Sequence, residues 1–180
     1  MKASIIKTER LILKPLSLLH VSNNYLNWLN DPIVNEYITN SGNYTLKKLK
    51  SFLKDIENKD IYFWAIHLIN DNKHIGNIKI DPINTKHGLG QYGIMMGDRS
   101  EWNKGYAKES SLAVINYCFN TLNLRKITLE VIVDNNSAYQ LYKKLGFVEE
   151  GLRKDQEFHN KSYYDSCIMA LFNLNFNYEN

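Results

Sequence analysis

Apolar and polar positions change period several times along the 180 residues, and each change marks an element. Residues 10–16 read as a short β run, ended by Pro15 and Ser17. From about His20 the period lengthens, and Val21, Tyr25, Trp28 and Leu29 fall on one helical face. Asp31-Pro32 stops this helix. Proline suits the first position of a helix, where its missing N–H has no intrahelical role, so residues 32–38 are expected to open a second, short one. Residues 40–43 form a polar loop. Thr45 caps a third helix, with Leu46, Leu49, Phe52 and Ile56 at helical spacing. The centre of the chain turns to strands. Residues 62–69 are aromatic and β-branched, 70–73 are a turn, and 75–83 return as the second strand of a hairpin. After a polar loop at 84–90, residues 91–97 are a third strand. A long helix follows, with Leu112, Ile115, Phe119 and Leu122 on one face. Then come a strand at 126–133 and a short helix capped by Asn135. That helix carries Ala138, Leu141, Tyr142 and Leu145 and ends at Gly146. Two strands, 147–151 and 163–171, close the pattern, and residues 172–180 are expected to be a loose tail.

This order predicts a mixed α/β (α+β) fold: an antiparallel meander feeding a parallel crossover, with helices on both faces of the sheet. A single domain over 1–180 is expected, long enough for a real core. The apolar fraction of 44% and charged fraction of 23% suit a globular chain. A net charge of +3 with no basic stripe argues against a nucleic-acid partner. No stretch is long and apolar enough for a membrane span, and the first nine residues lack the apolar core of a signal peptide, so no membrane partner is expected. Cys118 and Cys167 stand apart, outside any C-x-x-C or His-bearing metal spacing. They read as buried thiols in a reducing compartment, which makes a cytoplasmic location and the absence of a metal the expectations.

The chemistry concentrates between Gly97 and Ala107, where a strand turns through a glycine-bearing loop into the long helix. The first N–H groups of a helix lack internal partners, and the helix dipole adds positive character there. Gly105 permits close approach of a ligand, Ala107 keeps the next position small, and Lys104 and Lys108 add charge. A phosphate cradle and an ordinary strand-to-helix turn both fit this spacing. There is no G-x-x-x-x-G-K-[ST]. The G-x-G-x-x-G at Gly88, Gly90 and Gly93 enters a strand where a dinucleotide site would leave one, so that match is accidental.

Three stretches carry a family resemblance. Glu101 to Ala107 followed by a helix resembles the acetyl-CoA pyrophosphate loop of the GNAT N-acetyltransferases. Asn135-Asn136-Ser137-Ala138-Tyr139-Gln140-Leu141-Tyr142-Lys143-Lys144-Leu145-Gly146-Phe147 resembles that family's second signature. Thr8-Glu9-Arg10-Leu11-Ile12-Leu13-Lys14-Pro15-Leu16 is similar to the RimJ/RimL branch, as is Trp102 at the head of the loop. The resemblance implies a GNAT fold with two splayed parallel strands and acetyl-CoA as acyl donor. The backbone of Ile94, Met95 and Met96 would pair with the pantetheine arm. Trp102, Asn103, Lys104, Gly105, Tyr106 and Ala107 would hold the pyrophosphate, and Asn135 would contact the cofactor besides capping its helix. Tyr142 would stand at the thioester sulfur as a hydrogen-bond or proton donor, although the spacing alone also fits a core aromatic. Many relatives carry a glutamate where this chain has Gln91, so no base carries over. Glu130, Asp81, His74 and His87 qualify by residue type only. Glu149 to Arg153 with Glu157, His159 and Tyr163 resemble the hairpin bordering the acceptor, and equally a solvated edge.

The expected activity is acetyl transfer to a primary amine by direct attack in a ternary complex, with no metal. The acceptor is a small molecule or a peptide: a protein N-terminus, a polyamine or an amino sugar. A homodimer is compatible with this reading. The alternatives are a non-catalytic CoA-binding module and a nucleotide-phosphate protein using the same cradle.

Overall fold

The computed structural model describes residues 3–38, 42–59, 61–159 and 161–177, with His159 described by its backbone alone. Eight strands form one sheet in the order β1-β2-β3-β4-β5-β6-β8-β7. They are β1 (Ile6–Lys7), β2 (Leu11–Pro15), β3 (Tyr62–Leu68), β4 (His74–Asn84), β5 (Leu89–Met96), β6 (Lys126–Ile132), β7 (Val148–His159) and β8 (Ser162–Phe172). The helices are α1 (Asn23–Asn30), α2 (Leu46–Glu57), α3 (Tyr106–Asn120) and α4 (Asn136–Lys144). All neighbouring strands run antiparallel except β5 and β6.

The sheet has a core on each face. On one, Trp64, Ile66, Ile78, Ile127 and Leu129 pack with Val114, Ile115 and Cys118 of α3, Tyr142 of α4 and Leu145 just after it. On the other, Ala65 and Leu16 pack with Tyr25 and Trp28 of α1 and Leu49 and Leu53 of α2. Period-2 alternation along β3 explains the division: even positions face the first core, and Ala65 faces the second. Apolar burial on both faces is the main favourable contribution to such a fold.

Several sequence expectations are corrected. The first helix begins at Asn23, because Ser17 and Ser22 each cap a separate turn: a 3-10 turn at Leu18–His20, then α1. Residues 32–38 form turns and no second helix. Asp31 accepts the Ile33 amide on its carboxylate (2.8 Å) and the Asn35 amide on its carbonyl (3.0 Å), so the cap and one turn form, but the segment is too short to propagate them as a helix. The expected loop at Asn40 to Asn43 lies partly outside the described residues, which omit 39–41. Strand β7 runs to His159, far past residue 151, because an edge strand needs no apolar alternation to pair. The tail expectation fails at its start. Phe172 pairs with Lys126 at the end of β8, and Asn173 donates to the Arg125 and Leu124 carbonyls (2.9 and 3.2 Å). Residues 178–180 lie outside the described range.

Helix α1 is locked to the strand end that starts the loop. A Cβ on Gly97 would sit 2.1 Å from the Trp28 ring, so only glycine admits this contact. Trp28 and Tyr25 also pack on His74 at 4.9 and 5.4 Å between ring centroids, and His74 stacks on His67 at 5.0 Å with His20 nearby. Burial holds these rings neutral: it drives His74 down to about 3 and lowers His67 and His20 below their ordinary value. The unfolded chain protonates the same rings near pH 6.5, so it binds more protons than the fold below that pH. Stability is therefore fully present above about pH 6.5 and is lost as pH falls toward 3, at roughly 1 kcal/mol per pH unit for His74 alone. Urea midpoints should fall steadily from pH 7 to pH 5, and His74→Gln should flatten that slope; a midpoint unchanged over this range would contradict the assignment.

Candidate active site

Strands β5 and β6 pair only at Leu89↔Lys126, Gly90↔Ile127 and Gln91↔Thr128, and then part. The opening lies in the middle of the sheet, so its edges carry backbone groups without strand partners. Register decides which ones. Gly97 donates to the Ile75 carbonyl (3.0 Å), and alternation turns the amides of Met95 and Gly93 toward β4 as well. Ile94 and Met96 therefore face the gap. Of the three residues expected to meet the donor arm, Met95 presents its backbone to β4 instead. Trp102 reaches back and donates its indole N–H to the Met96 carbonyl (2.8 Å). The residue that departs from the wider family's loop pattern thus takes one of the free acceptors itself.

After Met96 the chain runs through a 3-10 turn at Arg99–Glu101 to α3. Gly105 is the N-cap in the left-handed region (φ 84°), and no side chain caps the helix. The first amides of α3 thus project from its end, with Asn103 also left-handed (φ 62°) just before them. The loop is held from behind. Lys73, from the β3–β4 turn, binds Asp98 (2.9 Å) and Glu101 (2.8 Å), and Glu101 also binds Lys104 (2.8 Å). Lys104 and Lys73 hold the Glu101 carboxyl below its ordinary range. Arg10 donates to the Lys104 carbonyl (3.0 Å), pairs with Glu109 of α3 (2.6 Å) and lies 4.6 Å from the centre of the Tyr106 ring. Thr8 donates to the same Glu109 (2.6 Å). Sequence reasoning took Thr8 and Arg10 as a branch signature; the structure makes them the bracket of the loop, and Glu109 the missed partner. The signal available was a lone acid in the first turn of a helix whose N-terminus needs order.

The loop, the gap and α4 enclose one cleft of about 730 Å³. Ile94, Met95, Met96, Trp102 and Asn103 line it, as do Gly105, Tyr106, Ala107, Asn135 and Tyr142. Lys104 does not, and Lys108 does. Asn135 accepts the Ala138 amide (3.2 Å) on Oδ1, a plain helix cap, while its Nδ2 has no bond among the described residues. Tyr142 is 7% exposed and packs edge-on to Tyr92 (5.8 Å), which is itself bonded to Ser111 (2.6 Å). No hydrogen bond to the Tyr142 hydroxyl occurs among the described residues. Burial pushes its phenol up to about 12, so it stays protonated.

Glu36, Glu130 and Glu157 also line the cleft, as do Lys144 and Glu101, the latter already bound to Lys73 and Lys104. Of the four base candidates only Glu130 is there. His74 is in the histidine cluster, Asp81 pairs with Lys79 (3.7 Å), and His87 closes the turn before β5. Gln91 sits in the paired part of β5, outside the cleft. Within the expected acceptor hairpin, Glu149 bonds Tyr139 and Glu150 bonds Lys126 (2.5 Å), while Tyr163 packs on Phe158 (4.9 Å); Glu157 alone of these acids lines the cleft. His159's side chain lies outside the described residues. Cys118 is buried in α3, its thiol driven up to about 12 by burial, and offers no nucleophile.

A splayed parallel pair, an uncapped helix behind it and a cleft through the sheet describe an acyl-carrier site, and the acetyltransferase (GNAT) domain model matches residues 10–148. The chain belongs to the GNAT acetyltransferase family. It is an acyltransferase, and its relatives are N-acetyltransferases. It is 25% identical over 170 residues to the uncharacterized N-acetyltransferase YoaA of Bacillus subtilis, covering 93% of this chain and 96% of that one. It is 36% identical over 91 residues to spermidine N(1)-acetyltransferase of Vibrio cholerae, covering 51% of this chain and 52% of the relative. The solved structure of the Vibrio cholerae spermidine N-acetyltransferase with CoA and spermine superposes with a TM-score of 0.83 at 26% identity, over 92% of this GNAT chain and 96% of that one. The ribosomal-protein-S5-alanine acetyltransferase of Vibrio fischeri shares the fold at a TM-score of 0.80 and 17% identity, over 97% and 99% of the two chains. Among the described residues no helix is long and apolar enough to cross a membrane.

The loop bracket gives a direct test. Arg10→Ala frees the Lys104 carbonyl and Glu109 together, so CoA affinity measured by calorimetry should fall about tenfold, the scale of one charge-assisted bond. Because Arg10 is half-exposed, the thermal midpoint should move little. Unchanged affinity would show that the loop orders itself.

Proposed function

We propose that this protein transfers an acetyl group from acetyl-CoA to a primary amine by direct attack in a ternary complex. One observation carries the reading: the uncapped start of α3 and the unpaired edge of β5 open into a single cleft lined by a protonated Tyr142 whose hydroxyl has no hydrogen bond among the described residues. The α3 amides with Asn103 and Lys108 would take the pyrophosphate, and Ile94 with the Met96 amide would take the pantetheine arm as an added strand edge. Asn135 has an amide free to contact the donor.

The acceptor reacts as the neutral amine. Its nitrogen bonds to the acetyl carbon, the C–S bond breaks, the electron pair leaves on sulfur, and the nitrogen's proton passes to solvent. A backbone N–H at the gap would stabilise the oxyanion. Tyr142 faces a departing thiolate. A phenol near 12 against a thiol near 8.5 makes full proton transfer uphill, so Tyr142 serves as a hydrogen-bond donor to sulfur. Among acceptors, a polyamine is favoured, because Glu36, Glu130 and Glu157 line the cleft and the named relatives include spermidine acetyltransferases. A protein N-terminus, as the RimJ/RimL resemblance implies, and an amino sugar are the other candidates. A homodimer and a cytoplasmic setting fit the reading.

The second reading, a CoA-binding module without catalysis, drew its support from Gln91. That residue lies outside the cleft, so its lack of a carboxylate leaves the site chemistry untouched. Thiol release from acetyl-CoA should be measured with spermidine, an alanine-terminated peptide and an amino sugar. Turnover with one of them, slowed about a hundredfold in Tyr142→Phe with CoA affinity unchanged, is the expected result. Tight CoA binding without turnover across the panel favours the module, and preference for ATP over CoA in calorimetry rejects both.

A further inference from the structure

Glu130 occupies a distinct position in the cleft. Along β6, Ile127, Leu129 and Val131 turn into the core beneath α3 and α4. Glu130 therefore stands on the opposite face of the sheet, the face of Met95, on a strand that borders the gap. Its two oxygens have unlike partners. Oε1 accepts from the hydroxyl of Ser166, which is wholly buried on β8 and fixes the carboxylate. Oε2 takes the guanidinium of Arg153 at 3.0 Å.

Arg153 does not line the cleft and is 49% exposed. It reaches in from the root of a bulge: between Arg153↔Ser166 and Glu157↔Tyr164, β7 has three residues where β8 has one. Lys154 and the Asp155 amide hold that bulge through Asp165, at 2.6 and 3.0 Å, and Arg153 takes no part in those bonds. The guanidinium can leave without disturbing strand pairing, and a half-exposed ion pair is weak. What it would leave behind is a fixed carboxylate with no cation bonded to it, in a cleft that Glu157 and Glu36 also line.

We propose that Glu130 binds the ammonium of the acceptor, and that Arg153 is a stand-in cation which the acceptor displaces on entry. This rests on the acetyl-transfer reading and adds the residue that selects an acceptor arriving positively charged. An ammonium offers three donors to the freed oxygen, and a polyamine held there by one charged nitrogen presents another of its nitrogens, neutral when it attacks, to the gap.

The test uses spermidine as probe on the CoA-saturated protein, with binding read by calorimetry and transfer read by initial rates. Arg153→Met removes the competitor. Spermidine should bind about fivefold tighter and its KM should fall in step, with the KM for acetyl-CoA unchanged. Glu130→Gln should weaken spermidine at least about tenfold, and the gain from Arg153→Met should vanish in the double variant. Should Glu130→Gln fail to fold, exposed Arg153→Met decides alone. If Arg153→Met weakens spermidine or leaves it unchanged, the pair is structural and the proposal is overturned. A wild type that acetylates amines while ignoring both substitutions overturns this inference only; a wild type that acetylates no amine on the panel overturns the parent reading and this one with it.

Discussion

Backbone groups need partners, and this sheet withholds them at its centre. Strands β5 and β6 stop pairing beyond Gln91 and Thr128, so the amide and carbonyl of Ile94 and the amide of Met96 are left at an internal edge. A β edge among buried side chains is costly unless something supplies the missing bonds. The loop after β5 answers part of the need through Trp102, whose indole takes the Met96 carbonyl. The rest faces a cleft. Both the acyl-carrier site and the family's fold follow from keeping that separation open.

Keeping it open requires rigidity on both sides. Below the loop, Lys73 ties Asp98 and Glu101 to the β3–β4 turn, and Arg10 with Thr8 ties Glu109 and the Lys104 carbonyl to the start of β2. Trp28 seated on Gly97 fixes the strand end, with the neutral histidines packed underneath. The uncapped α3 terminus can stay bare because these contacts, made away from the ligand face, hold the loop in place. The cleft wall is of mixed charge: Lys108 and the helix amides line it, and so do Glu36, Glu130 and Glu157.

Much of this was legible where the determining contacts are local. Thr45 and Asn135 cap the helices their positions announce, and the loop from Gly97 to Ala107 enters a helix, because capping and turn chemistry act within a few residues. The hairpin of β3 and β4 follows from side-chain period and a turn. By contrast, residues 32–38 carry a helical signature and form turns. Asp31 gives one carboxylate oxygen to Ile33, as a local cap does, and the other to Arg99, a residue 68 positions away, which no local rule foresees. The length of β7 was hidden for a related reason: its polar residues pair well only because the strand lies at the outer edge.

The sequence by itself determined the element order from Thr45 onward, the two family signatures and the residue types at the cleft, since these depend on periodicity and on short-range backbone geometry. Only the tertiary structure decided that Met95 turns its backbone to β4 while Ile94 and Met96 face the gap, because register is a property of two strands. Only it placed Gln91 outside the cleft and Glu130 inside, and gave Glu130 its unequal partners. Those partners come from β7 and β8, brought beside β6 by strand order, and a side chain's electrostatic role depends on what the fold sets next to it.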